Sequence, residues 1–390
     1  MNTLSKLINQ DSIPLDKRLL KSLKLSVNTV MQGASVSVTQ IGRESADYRG
    51  ISEKHAIKRS DRLIGNHHLH KCRNAFYKAL CTQFITSEHP LILVDWSSVY
   101  NYNFVMIRAS LPIQGRAITI YEEVYPLANH TSAKAHHTLL TNLAKCLPDN
   151  VKPIICTDAG FKVPWSKEVD AQRWYWVTRV RGSVKYKKEQ DSDWVNAKSL
   201  YQQGTNQPKE LGTIQLSKAH AYVCRSLIIK ENNKRRKKLN REGKVTQCYN
   251  NKRHSKSARE PWLLTTNLPK ALWSALDVVN IYRKRMTIEE TFRDNKNEHY
   301  GLGLSRNRSV NIHRIENLLL VAALAQIALY IIGKIAENKG IQRHYQANTI
   351  RARRVLSYGY LALRVLQSRT MRISPKDIDI AIEELSNETN

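Results

Sequence analysis

Three acidic residues, Asp95, Asp158 and Glu289, have settings in this sequence that could do chemistry. Asp95 ends the apolar run of PLILVDWS, and Asp158 ends that of PIICTDAGF, with Gly160 just after it. Each segment reads as a buried strand that delivers an aspartate at its carboxyl end. Glu289 stands in YRKRMTIEETFRDNK, positions 282 to 296, where basic residues crowd two adjacent glutamates. On one α-helix at about 100° per residue, Tyr282, Arg285, Glu289 and Lys296 share an arc of about 60°, and Glu290 falls outside it. Carboxylate oxygens are hard ligands for Mg²⁺ or Mn²⁺. Two strand-end aspartates plus a helical glutamate suit a phosphoryl-transfer site holding two ions roughly 3.5–4 Å apart. Arg285 and Lys296 would clamp phosphate oxygens beside it. An ion-paired surface helix built on Arg285 and Glu289 is the plainer reading, but it leaves the two aspartates unrelated.

The chain as a whole suits an anionic partner. Its 390 residues hold 62 Lys and Arg against 33 Asp and Glu, a formal net charge of +29. Nucleic acid is the commonest partner for such an excess, and a membrane surface would require an anchor. The first residues lack the apolar core and cleavage site of a signal peptide. The most apolar run, Leu318 to Ile332, contains Gln326 and is shorter than the roughly 20 residues of a span. It reads as a buried core helix, and no membrane partner is expected. Six dispersed cysteines without a CxxC pair indicate a reducing cytosol and no disulfide framework. His67, His68, His70 and Cys72 cluster in HHLHKC, but no second cluster at zinc spacing accompanies them. A surface or DNA-facing segment is the expectation there.

The elements that must position these residues can be read in outline. Residues 1–85 have helical periodicity. In SEKHAIKRSDRLIGN, Ser52 can cap a helix, Gly65 can close it, and Ala56, Ile57, Leu63 and Ile64 form its apolar face. Lys58, Arg59 and Arg62 then lie off that face. The segment resembles the basic second helix of a helix-turn-helix, and equally a solvated bundle helix. From residue 90, strands follow: the run before Asp95, then NFVMIRASLPI and RAITIYEEVYPL as an antiparallel pair about Gln114-Gly115. A helix over His130 to Leu147, the strand before Asp158, a short helix and the strand RWYWVTRV complete an α/β pattern of mixed direction. The run from Lys230 to Lys244 has almost no apolar residue, and reads either as a solvated loop or as a DNA-backbone contact. PWLLTTNLP restores a strand, one long helix carries positions 282 to 296, and the chain beyond about 310 is helical.

Tyr282, Arg285, Glu289 and Lys296 stand at the spacing of the Y-R-E-K signature of bacterial insertion-sequence transposases, and LVDWS and TDAGF resemble the group's two aspartate blocks. The resemblance extends over nearly the whole chain. It implies an RNase H-like, mixed-sheet catalytic core interrupted by a β-rich insertion, flanked by helical N-terminal DNA-binding and helical C-terminal regions. The corresponding divisions are 1–85, 86–181 (first core part), 182–260 (insertion), 261–309 (second core part with the glutamate helix) and 310–390. Asp95, Asp158 and Glu289 become a DDE triad binding two Mg²⁺ ions, with Mn²⁺ as a substitute. The implied activity is nicking, hairpin formation and resolution, and strand transfer. The implied partners are inverted-repeat end DNA, target DNA, a second copy of the chain in a homodimer and a host DNA-bending protein, in the bacterial cytoplasm at the nucleoid. Trp262 would hold a flipped base, with Met286 as a probing side chain and Arg181 as a further DNA contact. A core position for Trp262 is the plain alternative. An RNase H-like nuclease without strand transfer and a non-catalytic DNA-binding regulator are the competing functions.

Overall fold

The helical spacing of the N-terminal region resolves, in the computed structural model, into α1 (Asn2–Leu7), α2 (Lys17–Met31), α3 (Val38–Arg49), α4 (Glu53–Ile64), α5 (His67–Lys71) and α6 (Arg73–Phe84). The structure describes residues 2–7, 13–99, 103–231, 248, 260–368 and 371–389, so the basic run read at 230–244 lies outside the described residues from 232 onward. Two units emerge, one from residues 1–153 with 286–390 and the other from 154–285. The segment 86–181 therefore contributes to both.

In the first unit, α3 ends at Gly50, whose φ of 60° is the left-handed cap that glycine adopts without a Cβ penalty. Ser52 then stands at the N-cap of α4, and Ala56, Leu63 and Ile64 are buried while Lys58, Arg59 and Arg62 are exposed. Helices α3 and α4 pack together at Gly42, where an added Cβ would lie 2.5 Å from Ile57 Cα. Gly42→Ala should therefore lower stability by about 1–3 kcal/mol through overpacking. A shift to lower urea midpoint checks this, and an unchanged midpoint would contradict the close approach.

Strands β1 (Leu91–Ser98), β2 (Phe104–Ile113) and β3 (Arg116–Pro126) pair antiparallel, with β2 in the middle and Gly115 at φ 78° in the β2–β3 turn. One expectation is corrected: Asp95 is inside β1, not at its end. Trp96, Ser97 and Ser98 continue the ladder against Ile107, Met106 and Val105. Strands β2 and β3 are buried almost without interruption, which requires cover on both faces. The helices against β3 are α6, α7 (Ala133–Cys146), α10 (Met286–Lys296) and α11 (Ile312–Asn338).

Helix α11 is apolar and long enough to cross a membrane by length and composition, yet 94% of its most apolar window is buried inside the protein. It packs against α2, α12 (Tyr358–Ser368) and α13 (Pro375–Glu388), as the core-helix reading anticipates. Among its buried polar residues, Gln326 meets the Asn295 amide of α10 at 2.5 Å. The histidine-rich segment is divided: His67 and His68 are exposed, while His70 turns to Glu316 at 2.6 Å and stacks on His313.

In the second unit, β4 (Ile154–Thr157) runs parallel to β5 (Tyr175–Val180), and α8 (Val163–Ala171) lies between them in the chain. Strands β6 (Lys185–Lys187), β7 (Val195–Asn196), β8 (Lys209–Leu216) and β9 (Tyr222–Ile229) give residues 182–229 their β character. With β10 (Trp262–Thr266) they form the order β4-β5-β10-β9-β8-β6-β7, antiparallel beyond the first pair. The sheet direction is mixed, as read from the sequence. Helix α9 (Ala275–Arg283) packs on β4 and β5 and starts at a reciprocal cap between Ser274 and Asp277.

Candidate active site

Within the first unit, β1 and α10 carry Asp95, Glu289 and Lys296. Asp95 is half-buried, and its Oδ1 accepts the Trp96 N–H at 2.8 Å. Its cross-strand neighbour is Arg108. Helix α10 is fixed by its buried face: Thr291 Oγ1 accepts from Ala117 N at 2.8 Å, and Asp294 takes Arg116 in a two-pronged pair at 2.6 and 3.2 Å. Glu289 projects from the exposed side, whereas Glu290 pairs with Arg293 one turn on. Lys296 donates to Ser97 Oγ at 2.9 Å and Ser98 Oγ at 3.3 Å, which ties α10 to the strand just past Asp95. Burial, helped by Arg108, lowers the Lys296 pKa from its ordinary value. Met286 opens α10 and is 45% exposed.

Within the second unit stand Asp158, Tyr282, Arg285, Trp262 and Arg181. Asp158 follows β4 directly, and its carbonyl accepts Thr178 Oγ1 at 3.0 Å. Its Oδ1 accepts the Gly160 N–H at 2.7 Å. A Cβ on Gly160 would come within 2.9 Å of that oxygen, so the glycine of TDAG leaves the carboxylate room to fold back onto the backbone. Tyr282 is only 4% exposed and meets Trp262 edge-on at 5.0 Å, with the Arg285 guanidinium 5.8 Å from its ring. Burial raises the Tyr282 phenol, against the lowering pull of Arg285 and Arg179. Arg181 pairs with Glu260 at 3.1 Å.

The single helix expected over positions 282 to 296 is two helices. Lys284 and Arg285 form a turn between α9 and α10, bonding back three residues to Ile281 and Tyr282. The angular argument therefore survives only inside α10, where Glu289 and Lys296 are seven residues apart and drift by about 20°. Sequence reasoning did not pick out Ser97, Ser98, Thr178 or Glu260. Short polar residues in or beside strands carry no periodic signal, and their roles depend on partners distant in the chain.

Among the described residues no group of three or more His, Cys, Asp or Glu side chains is gathered to hold a metal ion; Asp95 and Asp158 each have one carboxylate oxygen held by a backbone N–H, and the oxygens of these residues and of Glu289 are of the hard type that divalent ions take. Residues 87–327 match the transposase DDE domain, over half of the chain, and the protein belongs to the DDE transposase family. No curated protein matches it. A transposase domain implies DNA as substrate, and such domains generally use divalent metal ions.

Proposed function

We propose that this chain is an insertion-sequence transposase of the Y-R-E-K group, resembling that of the tetracycline-resistance composite transposon, and that it moves its element by cut-and-paste. The observation that carries this reading is the matched range, 87–327, which includes Asp95, Asp158, Tyr282, Arg285, Glu289 and Lys296 together. An RNase H-like core with residues 182–260 as insertion is part of the proposal, as are the divisions at 85, 181, 260 and 309. Asp95, Asp158 and Glu289 are the three acids of the DDE chemistry. Two Mg²⁺ ions, replaceable by Mn²⁺, would when bound activate the attacking oxygen and stabilise the leaving one. The chain's own groups orient the phosphodiester: Lys296 offers a fixed ammonium, and Arg285 a guanidinium that can engage two phosphate oxygens.

Nicking frees a 3′-hydroxyl, which attacks the other strand to make a hairpin. Water reopens the hairpin, and the 3′ end joins target DNA. Each step is an in-line attack on a phosphodiester, so one set of residues serves them all. Trp262 holds the flipped base that a hairpin requires, with Met286 beside it in role, and Arg181, Lys58, Arg59 and Arg62 are further DNA contacts. The chain works as a homodimer on its end repeats, aided by a host DNA-bending protein, in the bacterial cytoplasm at the nucleoid.

A supercoiled plasmid carrying both element ends, incubated with the purified chain and Mg²⁺, should release the element; EDTA should stop it. Scattered nicking without release would instead favour a nuclease, and binding without cleavage a regulator. Trp262→Ala should leave nicking intact but cut hairpin yield by about tenfold or more, as loss of a stacking platform worth about 1–3 kcal/mol implies. Unchanged hairpins would remove Trp262 from that role.

A further inference from the structure

One cross-strand row in the first unit sets three charged side chains side by side: Asp95 on β1 lies opposite Arg108 on β2, and Arg108 lies opposite Glu122 on β3. Directly opposed residues of an antiparallel pair share one face of the sheet. That face is covered by α10, whose Phe292 ring lies 4.9 Å from the Arg108 guanidinium. Arg108 and Glu122 are fully buried, so neither offers a group to a phosphodiester.

The planar fork of Arg108 is held on two edges. Nε and Nη2 donate to Glu122 Oε2 at 2.8 and 2.6 Å. Nη1 and Nη2 also face Asn295 of α10, which is 0% exposed; in the amide orientation that satisfies it, Asn295 Oδ1 accepts them at 2.8 and 3.2 Å and its NH₂ turns toward the Gln326 amide. A planar guanidinium bonded on two edges cannot tilt, and β3 and α10 are fixed to each other through it. Glu122 already balances the charge of Arg108, so a neutral acceptor at 295 completes the fork without a surplus buried anion.

Asn295 immediately precedes Lys296, whose Nζ donates to Ser97 Oγ, two residues past Asp95 and on the same face of β1. These two neighbours fasten the last turn of α10, one to β2 and the other to β1. Glu289 stands about two turns earlier on the same helix, so a shift of this turn moves Glu289 and Lys296 together relative to Asp95.

We infer that Asn295 is a positioning residue: by holding the Arg108 fork it sets α10, with Glu289 and Lys296, at its working distance from Asp95. This rests on the reading of the chain as a transposase and deepens it, adding a side chain that touches no substrate.

The test is single-turnover cleavage of a saturating element-end duplex by the full chain with Mg²⁺, with end binding and melting followed on the same samples. Asn295→Leu removes the acceptor and should slow cleavage about tenfold or more, the scale on which misplacement by about 1 Å acts, while end affinity stays at the parent value. Arg108→Lys keeps a charge for Glu122 but loses the fork, and should slow cleavage by a similar factor. Because both act through one contact, the double variant should be no slower than the slower single. Asn295→Asp restores an acceptor for Arg108 and should bring cleavage back to within about threefold of the parent, whatever its melting temperature. Parent-like cleavage by Asn295→Leu or Arg108→Lys, losses that multiply in the double variant, or Asn295→Asp as slow as Asn295→Leu would each overturn the inference and leave the transposase reading intact. A parent that cleaves no element end would overturn that reading, and the positioning role with it.

Discussion

Alanine at Asp95, Asp158 or Glu289 should abolish strand cleavage, by about a thousandfold or more, while end binding persists. The magnitude follows from the several kcal/mol that ion-assisted charge stabilisation supplies, each 1.36 kcal/mol being a factor of ten. Loss of folding is not the expected cause. Glu289 is exposed, Asp95 is half-buried with a local bond to Trp96 N–H, and Asp158 bonds to Gly160 two residues on. Each variant should therefore melt within a few degrees of the parent. Glu290→Ala is the control, because Glu290 is already paired with Arg293 in a surface contact worth about 1 kcal/mol at most. Equal loss at Glu289 and Glu290 would refute the choice of glutamate, and cleavage surviving in all three alanine variants would refute the triad.

Arg108→Ala should be the most destabilising of the single changes considered. Arg108 and Glu122 are both 0% exposed and join at 2.6 and 2.8 Å across β2 and β3. Glu122 also accepts from Tyr77 at 3.2 Å, and Arg108 lies 4.9 Å from the Phe292 ring of α10. Removing one partner strands a buried charge, at a cost of about 3–5 kcal/mol against a total stability of about 5–15. Replacing both, as Arg108→Met with Glu122→Leu, should recover much of it, since the pair itself repays little more than its desolvation. Urea unfolding of the two variants checks this: a double variant no better than Arg108→Ala would show that the pair contributes net stability. Because Arg108 lies across from Asp95 and beneath α10, its loss should also lower cleavage in the folded fraction.

Several elements of the fold are legible in the sequence. The runs before Asp95 and Asp158 became strands because four consecutive apolar residues, or three, need burial on both faces, and Leu318–Ile332 became the core helix for the same reason. The turn at Lys284–Arg285 was not legible, since charged residues there are good helix formers and nothing local demands a break. Nor was the extension of β1 past Asp95, which β2 supplies by pairing with Trp96, Ser97 and Ser98. The polar groups that hold the site, such as Asn295 against Gln326 and Arg116 against Asp294, are paired across long sequence separations that periodicity does not encode. The types of the proposed catalytic residues stand out in the sequence; the side chains that pack against them do not.

The measurement that bears most directly on the account is joining of a pre-cut element end to plasmid DNA by the purified chain with Mg²⁺. The account predicts covalent end–plasmid joints that disappear with Asp158→Ala or EDTA. End binding and cleavage without any joint would contradict it and leave a DNA nuclease.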